Sequence, residues 1–362
     1  MRIGNPTINF AIAIILIASA TDSSQAVDDV NDIKANQIET CLLPEKTTIM
    51  LGEPIYLSFI VQNKSHQNLQ VLVGGDYRNA LGRPETFSVS TVGENGRNVP
   101  QQKLLFSRGG RIGLKQIPEK GQYTFRLFLP NWATFEGTGS YTITAKRILK
   151  LSNYVPKKLW SFDEKTTEIQ VKASAKITVI PLNEAKMGEL IGRLGKEILS
   201  ERDEKASLAA KKLANIQDER VVPYFLKALK VGRYGMKFCA LNALAKFNND
   251  HAFQGLKYGL EVSGKDFIRN STTMAVANSL AKNIIHTAIH SIAKSPHPKA
   301  IPFLLSKRDD EMDEIRLTVV HALGRMSANK AIPILEEMKN DKSKIVRGEV
   351  GRYLEEFSSG QR

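Results

Sequence analysis

The sequence predicts a multidomain protein of α and β structure, in which an antiparallel β-sandwich is followed by an α-solenoid. Three observations predict this order. Apolar and polar residues alternate with a period of two up to about residue 180, and the spacing becomes that of amphipathic helices after Pro181. The helical part also repeats itself at an interval of 31 residues. A length of 362 residues is consistent with two domains.

The first 20 residues have the organisation of a secretory signal peptide. A basic residue, Arg2, precedes an apolar run at residues 10–20, and residues 18–20 (Ala-Ser-Ala) suit a signal-peptidase site. Residues 24–26 (Ser-Gln-Ala) offer a second site, which would extend the signal to residue 26. The run is shorter than the roughly 20 residues that cross a bilayer, although a retained N-terminal anchor stays open. We therefore expect a secreted or periplasmic protein with no stable transmembrane segment after signal removal.

The charge balance indicates which partners are plausible. The chain has 51 Lys and Arg against 37 Asp and Glu, a formal net charge of +14. Export argues against nucleic acid as the partner, whereas acidic envelope components or anionic lipid headgroups suit an exported basic protein. A solvated basic surface without a partner is the alternative.

The two cysteines, Cys41 and Cys239, lie in different segments of the chain. In an oxidising compartment they could pair and connect the two halves. We favour two separate thiols, because two cysteines alone do not specify a disulfide framework.

Residues 38–180 are interpreted as the β-sandwich. Alternating apolar residues recur at residues 54–62, 122–130 and 140–145, and Asn95-Gly96 is typical of a tight hairpin turn. Residues 148–166 are richer in Lys, Pro and Ser and indicate a long loop before a last strand at 167–180. The segments GEPIYLSFIVQN and GTGSYTITAKR resemble the immunoglobulin-like sandwiches of exported bacterial proteins, although the Cys-Trp-Cys arrangement of antibody domains is absent. Such a fold carries no function by itself.

Residues 183–358 are interpreted as the solenoid, in which each unit has two helices. The apolar residues that end the first helices are separated by 31, 48, 31 and 31 positions, at Leu213, Leu244, Ile292, Leu323 and Leu354. Prolines near the start of the second helices, at positions 223, 302 and 333, suit a first turn whose donors are unpaired. Stacked units would bury apolar stripes that a single unit exposes.

The units IRLTVVHALGRMSANKAIPILEEM (315–338) and IVRGEVGRYLEEF (345–357) resemble HEAT repeats, in particular the short PBS-lyase-like HEAT repeats. This resemblance implies a protein-interaction scaffold. Two lysines, Lys205 and Lys212, stand in otherwise apolar columns, which an end unit with a polar outer side would explain. The 48-residue spacing indicates an insertion at about 264–282, interpreted as a loop and an additional helix.

Most candidate chemical sites have a simpler interpretation. His286 and His290 are four residues apart, but Thr287 stands where a zinc hydrolase needs glutamate, and His290 shares its repeat position with other polar residues that suit a solvent-facing column. The glycines at 188, 192 and 195 lack Walker spacing and suit a capping helix. Asn63 and Asn270 begin glycosylation sequons, which often occur by chance. We expect no catalytic residues, no metal and no cofactor.

One candidate binding surface remains on the second helices. Tyr224 and Phe303 share one repeat position, and Lys227 and Tyr258 share the position three residues further on. Aromatic and basic residues suit a recognition surface facing away from the first helices. The alternative is that the aromatic rings pack between repeats.

The sequence therefore predicts an exported, non-catalytic, monomeric scaffold whose HEAT-like solenoid binds a protein or an acidic envelope component. In the alternative, the sandwich is a protease-inhibitor-like or glycan-binding module that uses loops at 74–84 or 93–102, with the solenoid as a spacer. An uncharacterised enzyme is the third hypothesis. PBS-lyase-type HEAT proteins act on bilins in the cytoplasm, so the signal peptide argues against that chemistry.

Overall fold

The computed structural model describes residues 33–73, 86–100, 113–153, 166–200 and 203–360. The signal peptide expected at residues 1–20, or to 26, and the loop at 74–84 fall outside these ranges. Within them, no helix combines the length and the apolar character needed to cross a bilayer.

The N-terminal half consists of two β-sheets. The strands of the described residues are β1 (Ile38–Pro44), β2 (Thr48–Met50), β3 (Tyr56–Asn63), β4 (Leu69–Val73), β5 (Ser88–Gly93), β6 (Gly113–Ile117), β7 (Gln122–Phe128), β8 (Gly139–Ser152) and β9 (Thr167–Ile180). One sheet has the order β1-β3-β7, and the other has the order β2-β9-β8-β4-β6, with β5 also paired to β8. The pairing is antiparallel except between β2 and β9, which are parallel.

A single apolar core lies between the two sheets. Leu57, Phe59 and Val61 on β3 alternate with less buried residues, and Ile143 and Ala145 on β8 contribute to the same core from the second sheet. This period-two burial is what the sequence pattern predicted. The prediction of a sheet-rich N-terminal half is confirmed.

The loop predicted at residues 148–166 is wrong for its first residues, because β8 continues to Ser152 and pairs with β9 from Gly139 to Leu151. Residues 148–152 have the polar composition of a loop, but they belong to a strand whose charges are paired with charges on the neighbouring strand. The Lys150 ammonium lies 3.3 Å from a carboxylate oxygen of Glu168 on β9. Opposite charges facing each other across strands stabilise a sheet. Residues 154–165 lie outside the described ranges.

The C-terminal half is helical, as predicted. Its helices are α1 (Glu184–Glu197), α2 (Asp203–Leu213), α3 (Val222–Val231), α4 (Tyr234–Leu244), α5 (Asp250–Tyr258), α6 (Met274–Lys294), α7 (Ala300–Lys307), α8 (Asp313–Leu323), α9 (Ala328–Glu337) and α10 (Lys344–Ser358). The first helices α2, α4, α6, α8 and α10 contact one another in series, and the second helices α3, α5, α7 and α9 form the other layer. The column residues Leu213, Leu244, Ile292 and Leu323 are completely buried.

The inserted residues form a 3-10 helix (Gly264–Asn270) and an N-terminal extension of α6, rather than a loop and a separate helix. The Thr273 hydroxyl accepts a hydrogen bond from the Val276 N–H and so caps α6. Phe267 is buried in the helical core, with its ring centroid 6.2 Å from that of Tyr234 on α4. Phe267 therefore joins the insertion to the helical core, while Ile268, Met274 and Val276 remain exposed.

A basic residue near the start of three first helices binds backbone carbonyls at the end of the preceding unit. The Lys237 ammonium donates to the carbonyl oxygens of Leu229 and Lys230, although burial lowers the pKa of this lysine. Arg316 donates to the carbonyls of Asp310 and Glu311 at 2.7 and 3.1 Å, and Arg347 donates to that of Asp341 at 2.5 Å. The carbonyls of Leu229 and Lys230 are among those that the end of α3 leaves unpaired, whereas those of Asp310, Glu311 and Asp341 lie in the turns between units.

The expectation that Lys212 faces solvent is wrong, because this lysine lies against the β-domain. Its ammonium lies 2.5 and 2.6 Å from the two carboxylate oxygens of Glu45 and 5.6 Å from the Tyr56 ring centroid. Burial alone would raise the pKa of Glu45, but the hydrogen bonds from Lys212 and the Tyr56 N–H lower it. Lys205 is exposed, as an outer face would require. A lysine in an apolar column thus joins the two domains.

Lys212→Ala removes the counter-charge of Glu45, and we expect it to lower the free energy of unfolding by about 1–2 kcal/mol, allowing for the partial exposure of Glu45. Urea denaturation followed by circular dichroism measures this change. The matched control is Lys205→Ala, an exposed lysine on the same helix, for which we expect a change below about 0.5 kcal/mol. Equal effects of the two substitutions would contradict the assignment of Lys212 to the domain junction.

Candidate functional site

Tyr224 packs against the helix that begins the stack. It is half-buried near the start of α3, directly after Pro223, and its ring covers Gly195 on α1. A Cβ atom at Gly195 would lie 2.2 Å from the Tyr224 ring, so only glycine permits this approach. The glycines that superficially suggested a phosphate loop therefore lie inside a helix, where one of them provides space for an aromatic ring.

The other three candidate residues lie on the layer of second helices. Lys227 on α3 is exposed, whereas Tyr258 on α5 and Phe303 on α7 are half-buried. The Phe303 ring meets the buried Phe253 ring edge to face, with centroids 6.0 Å apart, and the Lys257 ammonium lies 5.7 Å from its centroid. Phe303 thus combines packing between units with a partly exposed face and an adjacent cation.

The acidity of Tyr258 reflects its position near the insertion. Burial raises the pKa of its phenol, and the negative charges of Asp266 and Glu261 raise it further. The hydroxyl is therefore held in its neutral form, in which it can donate a hydrogen bond. Within the part of the chain that the structure describes, no ring contact joins Tyr224, Tyr258 and Phe303, which lie on three different helices.

Three histidines on the first helices are half-buried, although the polar repeat position shared by His290 and His321 indicated exposure. His286 and His290 on α6 and His321 on α8 are all half-buried. Burial, followed by the positive charges of Arg325 and Lys294, lowers the pKa of His290 to about 4. His290 is therefore neutral at pH 7. Neighbouring helices cover one side of this repeat position. The sequence of a single helix does not show which helices pack against it, so the position was interpreted as solvent-facing.

The interaction of His321 with α10 fixes its ring. Its Nδ1 atom lies 3.2 Å from the Tyr353 hydroxyl and 3.7 Å from a carboxylate oxygen of Glu349. Hydrogen bonds from Arg352 lower the pKa of Glu349, which stays ionised beside the imidazole. Across the described ranges, no group of three His, Cys, Asp or Glu side chains is arranged to hold a metal ion.

The sequon at Asn63 has a structural role. The Asn63 side chain is completely buried, and its Nδ2 atom donates to the carbonyl oxygens of Gln67 at 2.7 Å and Pro118 at 3.0 Å. Its Oδ1 atom accepts from the Ser65 hydroxyl at 2.6 Å. An amide used in this way closes the turn after β3 and is inaccessible to a glycosyl donor in the folded protein.

The two cysteines are free thiols, as expected for separate residues. Burial raises the pKa of Cys239 to about 11, and burial also raises that of Cys41. Thiols of raised pKa are poor nucleophiles at neutral pH because little thiolate is present. Neither cysteine has the environment of a reactive thiol.

Comparison with known proteins supports the repeat assignment. Residues 274–355 match the family model described as HEAT repeats, which confirms the resemblance predicted for the C-terminal half. No curated protein sequence matches the chain.

Several solved structures are similar to this chain at low identity. The complex of CpcE and CpcF of phycocyanin lyase from a Nostoc species is 18% identical, with a TM-score of 0.28 over 48% of this chain and 99% of that chain. Human deoxyhypusine hydroxylase in complex with glycerol is 10% identical, with a TM-score of 0.21 over 49% and 98% of the two chains. A Salmonella alpha-2-macroglobulin mutant is 12% identical, with a TM-score of 0.21 over 86% and 24%. Likenesses this low assign no function.

We expect Gly195→Ala to destabilise the protein by about 1–3 kcal/mol, because the added methyl group displaces the Tyr224 ring. Gly192→Ala on the same helix is the matched control, since its Cβ would lie 3.8 Å from the Tyr224 hydroxyl, an ordinary contact. This control should be neutral or stabilising by up to about 1 kcal/mol through higher helix propensity. Urea denaturation of both variants checks the difference, and similar stabilities would show that Tyr224 is not fixed by α1.

The pKa of His290 predicts a loss of stability in mild acid. Between its ordinary value near 6.5 and its folded value of about 4, the unfolded chain binds a proton at this residue and the native protein does not. Stability therefore falls as the pH falls through this interval. Between pH 7 and pH 5, we expect the free energy of unfolding of the His290→Gln variant to fall by about 1 kcal/mol less than that of the wild type. Urea denaturation at both pH values tests this, with exposed His251→Gln as a control that should follow the wild type.

Proposed function

We propose that this chain is an exported, non-catalytic scaffold whose HEAT-like repeats bind a partner through the surface of the second helices. The partner would be a protein or an acidic component of the cell envelope. The observation that carries the proposal is the partial exposure of Tyr258 and Phe303 on the second-helix layer, where the Lys257 ammonium lies 5.7 Å from the Phe303 ring centroid and Lys227 is exposed on α3. Half-exposed aromatic rings next to cations suit a recognition surface.

The N-terminal domain would support this surface. In this proposal it is an immunoglobulin-like sandwich that is fixed to the first helices by the Lys212–Glu45 ion pair and by Lys211, whose ammonium lies 4.9 Å from the Phe128 ring centroid. A fixed support keeps the second-helix layer accessible and reduces the entropy lost on binding. The proposal includes a signal peptide at residues 1–20 and a monomeric exported protein.

The repeat favours binding rather than chemistry. The candidate side chains are distributed over α3, α5 and α7, whereas a catalytic group must lie within about 3 Å of the atom with which it reacts. A distributed surface of this kind suits a partner that spans several units, which is how solenoids bind.

Site-specific photocrosslinking in the native compartment tests the proposal. A photoreactive amino acid at exposed Lys227 should give an adduct with a discrete partner, and Phe303→Ala in the same chain should reduce its yield at least about fivefold if the hot-spot interpretation holds. The probe at exposed Lys176 on β9 is the control and should give no such adduct.

The same experiment separates the rival function. A probe at exposed Arg97, in the loop at 93–102, should capture the partner if the sandwich is the binding module. An adduct at Arg97 without one at Lys227 would overturn the scaffold proposal in favour of the sandwich. Adducts at neither position would overturn both.

A further inference from the structure

The first helices carry a column of cations on the layer opposite to the candidate surface. Residues at one repeat position, just after or within the last turn of the first helix, are Asn215, Lys246, Lys294, Arg325 and Glu356. The three middle units thus have a cation there, and all three cations are exposed. Since α4, α6 and α8 pack in series, these cations lie on neighbouring helices at intervals of roughly 10 Å.

One of the three cations in this column is occupied by a contact within the protein. The Lys246 ammonium donates to the Ala214 carbonyl at 2.5 Å, which caps α2. In the last unit this repeat position is Glu356, which forms an ion pair with Arg352, and Arg352 also pairs with Glu349. Within the described ranges, neither the Lys294 ammonium nor the Arg325 guanidinium forms a hydrogen bond or an ion pair. The two central cations therefore remain available.

The surroundings of His290 show that this charge is uncompensated. The charged and titratable groups that act on it are Arg325 in the turn after α8, Lys294 and His286 on its own helix, and His321 on α8, and none is a carboxylate. The carboxylates that act on the neighbouring histidines are paired with other groups: Glu349 of α10 with His321 and Arg352, and Glu314 of α8 with Lys282. Although the Lys294 side chain is accessible, its partial burial lowers the pKa of the ammonium, and the positive charge of Arg325 lowers it further. An anion placed here would relieve the repulsion.

We propose that His290, Lys294 and Arg325 form a binding site for an acidic segment of a protein partner. The Arg325 guanidinium suits bidentate binding of one carboxylate, and the Lys294 ammonium can bind the next as a point charge. Neutral His290 supplies a ring N–H donor between them. The inference rests on the proposed scaffold role and names the chemistry of a partner at a second surface.

Apolar side chains on the same face favour a protein segment over a purely anionic polymer. Leu317 lies one turn before His321 on α8 and is half-exposed, and Phe238 on α4, at the equivalent repeat position, is 46% exposed. A polyphosphate or a polyanionic glycan would leave these side chains in water. A peptide that alternates acidic and aliphatic residues would contact both kinds of group.

Fluorescence anisotropy with the full-length protein tests the site. The probe is a labelled peptide of repeated Glu-Glu-Leu, and the same peptide with Gln for Glu is the ligand control. The wild type should bind the acidic peptide, and the double variant Lys294→Gln/Arg325→Gln should bind at least about tenfold more weakly, a change of 1.4 kcal/mol. The matched control Lys172→Gln/Lys176→Gln, which removes two exposed lysines from β9, should bind like the wild type.

Each other outcome overturns the inference. No binding of the acidic peptide, equal binding of the Gln peptide, or an equal loss in the β9 control would do so. Tighter binding of inorganic polyphosphate or phosphatidylglycerol vesicles than of the peptide would assign the site to another class of ligand. Circular dichroism of the double variant shows whether it folds, and an NMR titration supplies a second readout in the wild type, since a bound carboxylate should raise the pKa of His290.

The scaffold proposal and this inference can fail separately. Crosslinking at Lys227 reports on the second helices, whereas peptide binding reports on the first helices. A partner adduct at Lys227 combined with no peptide binding would overturn only the site at His290, Lys294 and Arg325.

Discussion

The buried contact between Arg316 and Asp341 is the interaction on which the register of the last repeats depends. The Arg316 side chain is 3% exposed and that of Asp341 is 6% exposed, and their charged atoms are 2.7 Å apart. The same guanidinium binds two carbonyls before α8, while Asp341 accepts a hydrogen bond from the Ser343 N–H before α10. Hydrogen bonds from Arg316 lower the pKa of Asp341, so the pair stays charged at neutral pH. One ion pair thus fixes the turns that precede two successive first helices, and the apolar stripes can meet only when those turns are in place.

Much of the fold could be predicted because burial imposes a period on the sequence. Ile143 and Ala145 alternate as a strand requires, and Leu213 and Leu244 recur at the repeat interval. The parts that sequence reasoning missed depend on partners far away in the chain. Lys150 belongs to a strand because Glu168 is opposite, and Lys212 is buried because Glu45, 167 positions away, neutralises it. A lysine has the same identity in both settings, so only the folded partner distinguishes them.

The sequence predicted which repeat positions belong to the candidate surface, but it did not predict the contacts that their side chains make. The repeat places Tyr224 and Phe303 at one column, but their contacts differ, with Gly195 beneath one ring and Phe253 beside the other. A glycine at position 195 was the signal that could have identified the packing of Tyr224, since a residue without a Cβ often marks a close approach. The low pKa of His290 had no such signal, because it arises first from burial and then from positive charges on its own helix and on the next unit, which come together only after the helices stack.

The insertion has a consequence for how this solenoid can change its length. Its residues lengthen α6 along the helix axis and add a short 3-10 helix, while α6 still contacts α4 on one side and α8 on the other. The order of the stack is therefore preserved through a spacing of 48 residues in place of 31. Growth along the axis of one helix extends the edge of the stack without separating its units. Evolution can therefore add residues along a helix axis at little cost to the core that neighbouring repeats share. The added residues also provide new surface on which partners can bind.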